Sequence, residues 1–134
     1  MVEINNKTRT AIDLKLVEKV VEKVLLLYKK KNKEVSIGFV GDQVMKKLNF
    51  QYRGKDNPTD VLSFVGEDND LGEILINFQQ IKRQAKKFGN TDEQELIFIL
   101  VHGLLHLMGY DDETEKDRLA MIKLGEEVIK NLKL

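Results

Sequence analysis

The stretch Leu96-Ile97-Phe98-Ile99-Leu100-Val101 constrains the fold of this chain more than any other. The apolar pattern resumes after His102 and Gly103 with Leu104, Leu105, Leu107 and Met108. Thr91 and Gln94 ahead of it have the spacing of a capping box, and Gly109 behind it breaks a helix. The pattern predicts one helix from Thr91 to about Met108 with almost no polar face in its middle. A helix of that kind is buried on most sides, so other elements have to cover it. Its apolar run is interrupted far short of the roughly 20 residues that a membrane span needs.

Those other elements follow from periodicity. Val2 to Asn5 alternates apolar and polar, as a strand does. Asp13 opens a helix running to about Lys31, with Leu14, Leu16, Val17, Val20, Val21, Val24, Leu25, Leu27 and Tyr28 on a wide apolar face. Val35, Ile37 and Phe39 mark a second strand, and Asp42 is placed to cap a short helix through Leu48. Gly54 and Pro58 make Arg53 to Asp60 a loop. Val61 to Val65 and Glu73 to Asn77 read as strands able to pair as a hairpin. Gln80 to Phe88 is a helix ended by Gly89, and a last helix starts near Glu113 with Leu119, Ile122, Val128, Ile129 and Leu132 directed inward. Strands and helices are mixed, which predicts an α+β domain with a small mixed sheet of about four strands.

Composition bounds the rest. At 134 residues, 42% of them hydrophobic, the chain is expected to form a single domain over positions 1–134 and to bury a core without crosslinks. It has no cysteine, which excludes disulfides, thiolate zinc sites, iron–sulfur clusters and a cysteine nucleophile, and fits a reducing compartment. The N-terminus lacks the basic start and long apolar run of a signal peptide, so a cytoplasmic, membrane-free protein is expected. Twenty-two basic and 22 acidic residues cancel, so no global positive field draws phosphates, and any nucleic-acid contact has to be local.

The chain has only two histidines, His102 and His106. Four apart on a helix, they share one face and both reach one point. In an apolar helix each imidazole needs a polar partner, and a shared cation satisfies both at once. Gly109 then reverses the chain and can bring back Asp112 as a third ligand. Two nitrogens, one oxygen and an open position form the layout of a catalytic metal site. The same spacing occurs in zinc peptidases of the zincin type, but there a glutamate general base follows the first histidine. Here that position is Gly103, which argues against peptidase chemistry.

The segment His102-Gly103-Leu104-Leu105-His106-Leu107-Met108-Gly109-Tyr110-Asp111 closely resembles the signature of the YbeY family of bacterial rRNA maturation factors. A second similar block runs from Asn49 through Arg53-Gly54-Lys55-Asp56-Asn57-Pro58-Thr59-Asp60 to Phe64, and a looser one is Gly72-Glu73-Ile74. The resemblance is weakest before about Val35. It implies a metal-dependent, single-strand-specific endoribonuclease acting in small-subunit rRNA 3′-end maturation and ribosome quality control. It also implies a zincin-like fold around a central metal-binding helix, zinc as the metal, and the ribosomal small subunit with assembly factors as partners. By position, His102 and His106 carry over as ligands and Arg53 as the basic residue facing the site.

One departure matters. The family motif ends in Asp-His, whereas this chain has Asp111-Asp112. Aspartate is a competent zinc ligand of similar bond length, although it shifts preference toward harder metals such as manganese. On this reading Arg53 pairs with the scissile phosphate. Glu95, two turns before His102, is a candidate general base; its alternative role is a carboxylate favouring the helix N-terminus. Lys46, Lys47, Arg53 and Lys55, the run Lys82, Arg83, Lys86 and Lys87, and Lys29 to Lys33 are the basic clusters available to RNA or simply to solvent. Two other function classes compete: a non-catalytic ribosome-assembly binding factor with a structural or lapsed metal site, and a zinc hydrolase of another substrate.

Overall fold

The computed structural model describes residues 1–134. Its elements in chain order are β1 (Val2–Asn6), α1 (Leu14–Leu27), β2 (Glu34–Val40), α2 (Asp42–Arg53), β3 (Val61–Val65), β4 (Asp70–Asn77), α3 (Phe78–Phe88), α4 (Asp92–Leu107) and α5 (Glu115–Leu132). The four strands form one mixed sheet in the order β1-β2-β4-β3. β1, β2 and β4 are parallel, while β3 runs antiparallel to β4 along one edge. The α+β class and the expected β3–β4 pairing both hold.

Side-chain alternation divides the sheet into two unlike faces. Ile4, Ile37 and Ile74 stand side by side across β1, β2 and β4, and Phe39 and Ile76 repeat the pattern two residues on. This face packs on α1 and α4 and forms the main core with Val17, Val20, Val21, Val24, Leu100, Leu104 and Leu105. The other face carries Val40 and Leu62, where Met45 of α2 completes a second, smaller cluster. The helix that is apolar all round is thus covered by the sheet, α1, α3 and α5.

Local chemistry sets the ends of α4. The Thr91 side chain accepts from the Gln94 N–H at 3.0 Å, and the Gln94 side chain accepts from the Thr91 N–H at 2.9 Å, closing the capping box. At the other end Gly109 takes φ 101°, where a β-carbon is strained, and the chain turns back.

Several expectations needed adjustment: β4 begins at Asp70 rather than Glu73, and Leu27 at the end of α1 is exposed. α1 stops at Leu27 because Lys29 sits at φ 57°, a left-handed break well before Lys31. Asp42 is the first residue of α2 rather than its cap, which is Gly41, and α2 extends to Arg53 before Gly54 ends it. Leu119 is 55% exposed, because the buried stripe of α5 runs through Met121, Gly125, Val128 and Leu132, on the opposite side of the helix.

Candidate metal centre

α4 carries both histidines on the turn-by-turn spacing that aligns them. Their Nε2 atoms lie 3.2 Å apart, with the rings nearly perpendicular at 82°. Beyond Gly109 the chain returns, and one Asp112 carboxylate oxygen comes to 3.3 Å from His102 Nε2 and 3.5 Å from His106 Nε2. The three atoms form a nearly equilateral triangle. A tetrahedral ion with bonds of about 2.0–2.1 Å keeps its ligand atoms about 3.3 Å apart, so the triangle has the dimensions of three corners of such a site. His102, His106 and Asp112 are also the group of acidic or imidazole side chains close enough to share an ion.

Electrostatics supports the same occupant. His102 is 16% exposed along its side chain, and Phe98 stacks over it at 6.3 Å between ring centres. Burial, then the neighbouring His106, push its pKa below the ordinary 6.5, against the opposing pull of Asp112 and Asp60. At neutral pH His102 is therefore a neutral imidazole, the form that ligates metal. Its contact with Asp112 is then not an ion pair. It brings lone pairs toward one point, which a cation relieves.

The site opens into a cavity of about 470 Å³. α4 supplies Phe98, Ile99, His102 and His106 to its lining, and Thr59 and Asp60 join it with the edge strand residues Val61, Leu62 and Ser63. Arg53, the last residue of α2, reaches the same cavity, as does Arg118 from α5. All four expected site residues, Arg53, His102, His106 and Asp112, thus line one space.

Glu95 does not line that cavity. It is 5% exposed and accepts hydrogen bonds from Gln84 Nε2 at 3.2 Å and Asn90 Nδ2 at 3.4 Å. The carboxylate that does reach the cavity, besides Asp112, is Asp60. The sequence places Asp60 at the end of a Pro58-containing turn, but only the edge position of β3 brings that turn to α4. Arg118 carried no local signal, being one charge among many on α5.

Gly103 shows why a peptidase-type base is missing. A β-carbon there would stand 3.1 Å from two methyl carbons of Ile74 and 3.3 Å from Ser63 Oγ. The position after His102 is closed by contact with the sheet.

The comparisons with known proteins agree with this architecture. A family model described as Endoribonuclease YbeY matches residues 3–133. The chain belongs to the YbeY family. A relative named Endoribonuclease YbeY from Thermodesulfovibrio yellowstonii is 39% identical, over 98% of this chain and 97% of that protein. Another of the same name from Persephonella marina is 39% identical, over 92% of this chain and 86% of its own length. Among solved structures, the solution structure of TM1509 from Thermotoga maritima matches with a TM-score of 0.66 and 34% identity, covering 99% of this chain and 92% of that one. The YbeY match begins at residue 3, so it includes the N-terminal third, where the motif-level likeness is faint.

Proposed function

We propose that this chain is a metal-dependent endoribonuclease specific for single-stranded RNA, acting as one domain in the cytoplasm in small-subunit rRNA 3′-end maturation and ribosome quality control. The observation that carries the reading is the His102–His106–Asp112 triangle, with edges of 3.2, 3.3 and 3.5 Å, at the wall of a cavity that Arg53 also lines. His102, His106 and Asp112 hold the metal, which we take to be one zinc ion per chain. Bound there, a divalent ion supplies Lewis acidity toward a phosphodiester.

The chain's own residues do the rest. Arg53 has no carboxylate partner among the ion pairs of the structure, so its guanidinium is free to form paired hydrogen bonds with phosphate oxygens. Those bonds orient the phosphate and stabilise charge that builds in the transition state. Phe98 and Ile122 give the cavity an apolar side that suits an unstacked base. Ribosomal small-subunit components and assembly factors are the partners this role calls for.

The test is metal stoichiometry by elemental mass spectrometry on untagged protein, paired with cleavage of single-stranded RNA. One zinc per chain, lost in His106→Ala and Asp112→Ala together with cleavage, is the expected result. Zinc retained in Asp112→Ala would remove Asp112 from the ligand set. Zinc bound without cleavage of any single-stranded RNA would favour the assembly-factor class instead.

A further inference from the structure

Asp60 is suspended with more care than a surface carboxylate needs. Its backbone carbonyl accepts the Asn77 N–H at 2.9 Å, and Asn77 is fully buried at the start of α3. Its carboxylate accepts from Gln84 Nε2 at 3.2 Å. The same nitrogen donates to the buried Glu95, also at 3.2 Å. The two hydrogens of one amide therefore tie a carboxylate on the cavity wall to a carboxylate in the interior.

The amide itself is oriented. Gln84 Oε1 accepts from Gln80 Nε2 at 3.2 Å, which fixes the nitrogen end toward the two carboxylates. Gln80 is held in turn by Arg83, whose guanidinium pairs with Asp42 at 2.6 Å. The chain of hydrogen bonds thus runs from the first residue of α2, across α3, to the cavity.

Asp60 has no cation among its partners. The lysine and arginine pairs of the structure go to Asp42, Asp56 and Glu115, while Asp112 faces the two histidines. The charged and titratable groups that share its cavity are Arg53, Arg118, the histidine pair and Asp112. Arg53 and the histidine–aspartate site already have roles in the proposed reaction, and none of these groups is a free proton acceptor.

We propose that Asp60 is the proton acceptor in RNA cleavage and that Gln84 positions it, an inference that rests on the endoribonuclease reading above. In the step, an O–H bond of water breaks and its electron pair forms the new bond to phosphorus. The proton goes to the Asp60 carboxylate. The bond from phosphorus to the leaving ribose oxygen breaks with its electron pair on that oxygen, and the Asp60 carboxyl returns the proton there. Asp60 ends as it began. Glu95 is the anchor that holds Gln84, not a reacting group.

The experiment compares zinc-loaded wild type, Asp60→Asn and Gln84→Ala on one single-stranded RNA oligonucleotide. Zinc content, thermal midpoint and RNA affinity of the metal-free proteins are measured alongside. Asn matches Asp in shape, so zinc content and midpoint are expected to hold in Asp60→Asn. Its kcat falls by about 10²-fold or more. Its KM stays level or drops, because a negative charge beside the phosphate is gone, and metal-free RNA binding stays level or tightens for the same reason. Gln84→Ala leaves the Asp60 carboxylate held only by the neighbouring Thr59 hydroxyl, which donates at 3.3 Å, and kcat falls by about 10-fold with KM unchanged. A kcat within threefold of wild type in Asp60→Asn would overturn the assignment. Zinc lost from that variant, or weaker RNA binding by it, would also overturn it, by making Asp60 a support of the metal site or a binding residue. Active wild type with active Asp60→Asn sinks this inference alone. Zinc-loaded wild type that leaves RNA intact sinks the endoribonuclease reading and this inference with it.

Discussion

Three atoms decide what the centre can hold. An aspartate in the third position is shorter than a histidine, yet the turn at Gly109 brings its oxygen to 3.3 and 3.5 Å from the two imidazoles. The shorter side chain therefore still closes the triangle without help. His102 adds a pH dependence whose sign follows from its surroundings. Burial, then His106, lower its folded pKa below the 6.5 of the free side chain. The unfolded chain then binds the proton more readily than the folded one. The contribution of His102 to stability is complete above about pH 6.5 and is lost as pH falls through the lower folded value. Metal-free protein is expected to show a falling thermal midpoint from about pH 6.5 downward. His102→Gln, which cannot titrate, should fall less. Equal slopes in the two proteins would show that the acid loss belongs to other groups.

At the scale of elements, the sequence was most informative where the controlling physics is local. The Thr91 capping box, the Gly89 stop of α3 and the Gly109 turn all form as their spacing requires. The histidine pair was legible for the same reason, because i,i+4 spacing on a helix needs no tertiary information. Asp60 was not legible as a cavity residue. Its place depends on β3 lying at the sheet edge beside α4, and adjacency in the sheet is not written within the segment. Arg83 looked like a free cation for RNA, yet Asp42, remote in sequence, claims it at 2.6 Å. The approach of α4 to the sheet makes a further expectation. Replacing Gly103 with Ala gains about 1 kcal/mol of helix propensity. The added carbon meets Ile74 at 3.1 Å and Ser63 at 3.3 Å, and overpacking of that kind costs about 1–3 kcal/mol. Packing wins, so Gly103→Ala should be destabilised by about 1 kcal/mol in chemical denaturation. A variant more stable than wild type would show that Ile74 yields and that propensity governs the position.

For the whole molecule, charge is distributed rather than accumulated. The 22 basic and 22 acidic residues cancel, so RNA meets no general attraction and has to be held by a patch. With Arg83 committed to Asp42, the exposed cations on α2 and the turn after it are Lys46, Lys47, Arg53 and Lys55, of which Arg53 lines the cavity. Lys46 approaches Asp56 at 3.9 Å, an exposed pair that costs little to break. Each phosphate neutralised on a single strand adds about −0.7 to the slope of log affinity against log salt. If three or four of these side chains engage, the slope is expected to be about −2 to −3. Lys47→Gln should make it shallower by about 0.7 while leaving metal content unchanged, because Lys47 is an exposed residue of α2, an element that supplies none of the three proposed ligands. Titrating metal-free protein with single-stranded RNA over a range of salt reads both numbers. A slope near zero would mean that bases on the apolar wall of Phe98 and Ile122, rather than phosphates on α2, hold the strand. A Lys47→Gln slope equal to wild type would move the phosphate track off α2, toward Arg118 and the other side of the cavity.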